Sequence, residues 1–223
     1  MDPERKTSFH FLFTDLVERT CNEWGFKPPD YQFFVDTYAR LPEGLRRAIS
    51  YGWQNEIILD AGLSKTGSAA FRPSLVSDVK GPYSWFERDS AKKQPRPAWE
   101  YYIQVAEYVR LFEALKGKGY ELRFEDDLMD IGIYEKGILQ VCCEVKEKST
   151  KAQTLIRGIR KFERAVVLPE TDRGNDPLRK AKYISKLKPL YFYVVSIGRR
   201  YEYRVEYPEE MRFRLVEDFI PII

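Results

Sequence analysis

Histidine is almost absent from this chain: His10 is the one example in 223 residues. That excludes a His-rich metal site and argues against most Ser–His and Cys–His mechanisms. His10 lies among Phe9, Phe11 and Phe13 and reads as a structural residue. Cysteine is scarce as well. Cys21, Cys142 and Cys143 are odd in number and two are sequence neighbours, which is no disulfide framework and points to a reducing, cytoplasmic setting. No apolar run approaches the length of about 18 residues needed for a membrane span. The charged opening, residues 1–6, has neither the apolar stretch nor the cleavage site of a secretory signal. The phosphate-cradling patterns GxxxxGK[ST] and GxGxxG do not occur, which argues against a built-in NTPase or a dinucleotide enzyme. Net charge is small too. With 37 Lys+Arg against 34 Asp+Glu, the formal +3 names no partner. What is present is ample apolar material, 43% hydrophobic and 15% aromatic, in a chain long enough to bury a core.

The N-terminal part reads as helical. Phe9, Leu12, Phe13, Leu16 and Val17 recur at helical spacing, with Thr7 or Ser8 as N-cap and a stop at Gly25 and Pro28-Pro29. Further helices are expected over 31–38 and about 43–58. Between 62 and 97, Gly67, Pro73, Gly81, Pro82, Pro95 and Pro97 punctuate a polar stretch that reads as loop with a short strand or two. A boundary is expected there, separating an N-terminal helical region, 1–98, from a second domain, 99–223. The latter opens with a helix over 99–116, stopped by Gly117 and Gly119. Strands follow over 120–124, 129–134 and 138–146, then a helix over about 152–164. A loop with Pro169, Gly174 and Pro177 leads to strands over 190–197 and 201–207. The order α-β-β-β-α-β plus one strand is that of a layered α/β domain.

The chemistry concentrates in the hairpin built from 129–134 and 138–146. A three-residue loop, Glu135-Lys136-Gly137, would pair Tyr134 with Ile138. Asp130 then lies opposite Cys142 and diagonal to Glu144. Because side chains alternate along a strand, Asp130, Gly132 and Tyr134 share a face with Gln140, Cys142, Glu144 and Lys146. The other face carries Ile131, Ile133, Leu139, Val141, Cys143 and Val145, and is expected to pack on a helix. A two-residue loop reverses this parity and puts Asp130 on the wrong side. Two neighbouring carboxylates repel unless a cation lies between them, and Mg²⁺ favours carboxylate oxygens. Such an ion polarises a phosphodiester and acidifies bound water, and Lys146 can orient that water or stabilise the transition state. The Val145 carbonyl is a further candidate ligand.

Asp130, thirteen intervening residues and then Glu144-Val145-Lys146 resemble the PD-(D/E)xK motif of the restriction endonuclease-like nucleases, and the element order from 99 to 207 resembles their core. Met129 stands where the motif's name has proline. The resemblance implies Asp130 and Glu144 as metal ligands and Lys146 as catalytic lysine. It adds a glutamate from the first core helix, Glu107 in preference to Glu100, and a glutamine opening the next helix, Gln153. Asp126 and Asp127 read as turn residues able to assist. Another ExK, Glu4-Arg5-Lys6, lacks a surrounding strand.

Charge supports the same region. Residues 144–188 carry 13 Lys+Arg and 6 Asp+Glu, a local +7, which leaves −4 for the remainder. Lys148, Lys151, Arg157, Arg160, Lys161 and Arg164 form a candidate nucleic-acid-binding stripe on or near the second core helix. Arg173, Arg179, Lys180, Lys182, Lys186 and Lys188 are expected in the loop that follows. Tyr83, Trp85 and Phe86 are loop candidates for stacking on bases, against the commoner role of core anchors. The expectation is a Mg²⁺-dependent endonuclease acting on DNA, with Mn²⁺ able to substitute, and a homodimer where both strands are cut. The alternative is a non-catalytic nucleic-acid-binding module or a structural subunit of a defence or repair complex.

Overall fold

A computed structural model describes residues 8–75, 80–163, 168–209 and 212–222. The protein is mixed α/β and forms two compact units, residues 1–110 and 111–223, so the division falls inside the helix that opens at Trp99 rather than ahead of it.

The first unit begins with α1 (Phe9–Trp24), α2 (Tyr31–Arg40) and α3 (Glu43–Gln54). Phe9, Phe13, Leu16, Val17, Cys21 and Trp24 form the buried stripe of α1, and Gly25 ends it in the left-handed region at φ 65°. The 62–97 stretch holds more strand than its punctuation suggests. β1 (Ile58–Leu63), β2 (Ala69–Pro73) and β3 (Tyr83–Ser84) make one antiparallel sheet, and β4 (Phe86–Asp89) and β5 (Gln94–Pro97) a separate ribbon. Pro95 and Pro97 are tolerated because a two-stranded ribbon has free edges. Trp85 and Phe86 are fully buried, with the Trp85 ring 4.3 Å from Phe71 and 4.9 Å from Tyr102. Of the two roles open to them, Trp85 and Phe86 therefore take that of core anchors and not that of stacking on bases. Tyr83 is half-buried, 5.6 Å from Phe71 and 5.7 Å from Tyr101. His10 is exposed and hydrogen-bonded to the Tyr38 hydroxyl at 2.6 Å.

α4 (Trp99–Leu115) leads into the second unit, where β6 (Tyr120–Asp126), β7 (Met129–Glu135) and β8 (Ile138–Val145) run antiparallel. α5 (Ser149–Arg160) and α6 (Asp176–Leu187) then carry the chain to β9 (Tyr191–Ser196), parallel to β8. β10 (Arg199–Glu209) and β11 (Arg212–Glu217) complete a six-stranded sheet of order β11-β10-β9-β8-β7-β6. α6 and β11 were not expected. α6 opens with Asn175, whose side chain accepts from Leu178 N–H, and Pro177 sits in its first turn, where no intrahelical donor is lost.

The hairpin differs from expectation in a way that preserves the site. Its loop is the two-residue Lys136-Gly137, both residues left-handed at φ 50° and 79°, which closes Glu135 against Ile138. By itself this turn would turn Asp130 away from Glu144. A bulge between Ile133 and Tyr134 takes up one extra residue on β8, so Tyr134 faces Leu139 while Ile133 faces Val141. The parity is thereby restored, with Gly132 facing Cys142 and Ile131 facing Cys143. Continuing this register sets Asp130 against Glu144 rather than against Cys142. The bulge also moves Leu139 onto the Tyr134 face.

The helices cover the face that holds the carboxylates, a second correction. Tyr134, Leu139, Cys142, Phe192 and Val194 pack in one core with Leu155, Ile156 and Ile159 of α5 and Ala181 and Ile184 of α6. Ile131, Ile133, Val141, Cys143 and Val145, on the opposite face, are buried as well. β8 is therefore buried on both faces from Val141 to Val145, with Glu144 the one charged residue in that stretch.

Candidate carboxylate–lysine site

Asp130 and Glu144 meet at the end of the β7–β8 pair. Asp130 is half-buried, and its Oδ2 accepts from Val145 N–H at 2.5 Å, tying the two strands together beyond their ladder. Glu144 is 1% exposed. Its Oε2 accepts from Lys146 Nζ at 3.1 Å, and its Oε1 accepts from Lys180 Nζ. Lys180 reaches in from α6 and also donates to the Leu128 carbonyl beside the β6–β7 turn. Burial pushes both carboxyls up, Asp130 to about 6 and Glu144 to about 7. The Asp130 charge adds to the rise at Glu144, while the two ammonium groups oppose it.

Lys180 is the site residue that sequence reasoning missed. It was expected in a cationic loop and instead lies on the buried side of α6. The available signal was its place in a helical apolar pattern, between Leu178 and Ala181, with Asn175 and Pro177 marking the start.

A neighbouring cluster uses the rival carboxylate. Asp126, the last residue of β6, is buried, and its Oδ2 accepts from the Tyr134 hydroxyl at 2.6 Å and the Tyr183 hydroxyl at 3.2 Å. Burial, with the Asp126 carboxylate next in order, raises the Tyr134 phenol to about 12. The Arg123 guanidinium lies 3.8 Å over the Tyr134 ring. Asp127 holds the β6–β7 turn in the left-handed region at φ 56°. Cys142 is a buried space-filler whose thiol burial pushes well up, an inert state.

The other expected participants have different neighbours. Glu107 is buried on α4, in the first unit, and takes a two-pronged ion pair from Arg110 at 2.9 and 3.1 Å. Glu100 is exposed in the first turn of α4. Gln153 is exposed on α5 and donates to the Tyr201 hydroxyl at 3.2 Å, which pairs with Ser149 Oγ as well. Lys148, Lys151, Arg157, Arg160 and Lys161 are all exposed on or beside α5, and Arg164 lies outside the described residues. Arg160 stands 5.2 Å over the Tyr203 ring, and Lys151 pairs with Glu147 at 3.4 Å. Beside Lys146 a cavity of 380 Å³ opens between Lys151 and Thr154 of α5 and Pro177 of α6.

Among the described residues no group of three or more His, Cys, Asp or Glu side chains is placed to hold a metal ion. The pair itself fits a divalent cation. Its donors are hard carboxylate oxygens, and a bound cation would offset both the burial and the neighbouring Asp130 charge that raise Glu144. With two protein carboxylates, the remaining positions would fall to a backbone carbonyl, such as that of Val145, and to water.

Among the described residues no helix is long and apolar enough to cross a membrane. No family model, curated protein or solved structure matches the chain.

Proposed function

We propose that the protein is a metal-dependent nuclease of the restriction endonuclease-like class, acting on DNA as an endonuclease. The observation that carries this reading is the convergence of Asp130, Glu144 and Lys146 at one end of the β7–β8 hairpin, where Lys146 lines an open cavity. Asp130 and Glu144 would hold Mg²⁺, or Mn²⁺ in its place. That ion, when bound, supplies Lewis-acid polarisation of a phosphodiester and a more acidic water. Lys146, on the outer oxygen of Glu144, is placed to orient a water nucleophile and to stabilise negative charge accumulating on phosphorus. The exposed Lys148, Arg157, Arg160 and Lys161 supply the charge that holds flanking phosphates. The parallel pairing of β9 with β8 supports this reading, and β10 and β11 extend the sheet beyond β9.

One observation favours a second reading. Both oxygens of Glu144 already carry ammonium partners, which is a self-satisfied arrangement and suits a nucleic-acid-binding module that does not cut. Incubation with duplex, branched and single-stranded DNA and with RNA, with Mg²⁺ or with EDTA, separates the two. Mg²⁺-dependent cutting supports the nuclease. A metal-independent gel shift without cutting supports the binding module.

A further inference from the structure

Glu144 is contacted by more cation than an ExK motif supplies. Lys146 follows directly on β8, whereas Lys180 comes from α6, 36 residues after Glu144, and is 7% exposed. A lysine so enclosed is tolerated because it is paired, donating to Glu144 Oε1 and to the Leu128 carbonyl. Asp130 and Glu144 thus both face two ammonium groups, those of Lys146 and Lys180. A divalent cation bound between the carboxylates would have to share the Glu144 oxygens with these ammonium groups and meet their repulsion. Lys146 borders the open cavity. Lys180 is closed in by α6 and tied to backbone.

We propose that Lys180 is a built-in counter-ion that holds the Glu144 carboxylate in the metal-free protein and competes with the divalent cation for it, so that α6 sets the metal affinity of the site. The proposal rests on the reading of Asp130 and Glu144 as metal ligands. Lys180 is thus a positioning residue, acting through Glu144.

The test is Mn²⁺ titration of the full chain by calorimetry, with thermal unfolding of the metal-free and Mn²⁺-loaded forms. Lys180→Gln removes the charge but keeps a donor for the Leu128 carbonyl. Lys180→Met is the second variant, and Glu144→Gln the control. The expected result is a lower metal-free Tm for Lys180→Gln together with Mn²⁺ binding tighter by about tenfold or more, as removing a like charge at contact range predicts. A merely structural lysine would lower the Tm without tightening metal binding. If wild type binds Mn²⁺ through Glu144 and Lys180→Gln binds it equally or more weakly, the counter-ion role is overturned and the metal site stands. If neither wild type nor either Lys180 variant binds Mn²⁺, both are overturned.

Discussion

Gly132 is the residue at which the packing behind the site can be probed most sharply. It sits on β7 between Arg123 of β6 and Cys142 of β8. A Cβ added there would lie 2.2 Å from Asp126 Oδ2, 2.9 Å from Asp126 Cγ and 2.9 Å from a Tyr134 ring carbon. The backbone is an ordinary strand, so the cost of Gly132→Ala is steric. Asp126 cannot simply rotate away, because the Tyr134 and Tyr183 hydroxyls hold its Oδ2 in a buried position. Losing one phenol–carboxylate bond costs about 2 kcal/mol, and local overpacking adds about 1 kcal/mol, so a total near ~3 kcal/mol is expected. Trp24, Trp53, Trp85 and Trp99 all belong to the first unit, so urea unfolding is best followed by far-UV circular dichroism. The same substitution in an Asp126→Ala background should cost only about 1 kcal/mol, because the clashing carboxylate is gone and the Tyr134 ring contact alone remains. Equal cost in both backgrounds, or no cost in either, would refute the reasoning.

Further outcomes follow from the same geometry. Asp130 and Glu144 have folded values raised to about 6 and about 7, so folding favours their protonated forms. The cost to stability is complete above the higher value and is relieved as pH falls through both. Metal-free protein should therefore gain urea resistance between about pH 8 and about pH 5.5, and Glu144→Gln should flatten that profile. Arg157→Ala and Lys161→Ala should each weaken DNA binding uniformly across sequences and lower the salt slope by about 1, measured by fluorescence anisotropy. Gln153→Ala should leave Mn²⁺ affinity unchanged in calorimetry, since the Gln153 amide is engaged with Tyr201.

The hairpin shows both the reach of sequence reasoning and its limit. Alternation along β8 was legible because Val141, Cys143 and Val145 recur at period two. The turn was not, since Glu135-Lys136-Gly137 admits a two- or three-residue loop. The shared face of Asp130 and Glu144 then depended on a bulge that no local signal announces. A right pairing of faces was reached through a wrong register. α6 was hidden by composition: Arg179, Lys180, Lys182 and Lys186 mask the apolar face of Leu178, Ala181 and Ile184, and Pro177 reads as a breaker unless it is placed in the first turn. Missing α6 meant missing Lys180. The strands at 58–97 were obscured by proline and glycine, although Phe71, Trp85 and Phe86 are as buried as any helix core residue.

The central claim is that Asp130, Glu144 and Lys146 act together on a phosphodiester. The most direct measurement is nicking of supercoiled plasmid by the purified full chain in Mg²⁺, compared with Asp130→Asn, Glu144→Gln and Lys146→Ala proteins whose circular dichroism matches wild type. Wild type should cut, EDTA should abolish the cutting, and each variant should lose at least about 10²-fold. Cutting that persists at the wild-type rate in Glu144→Gln or Lys146→Ala would contradict it.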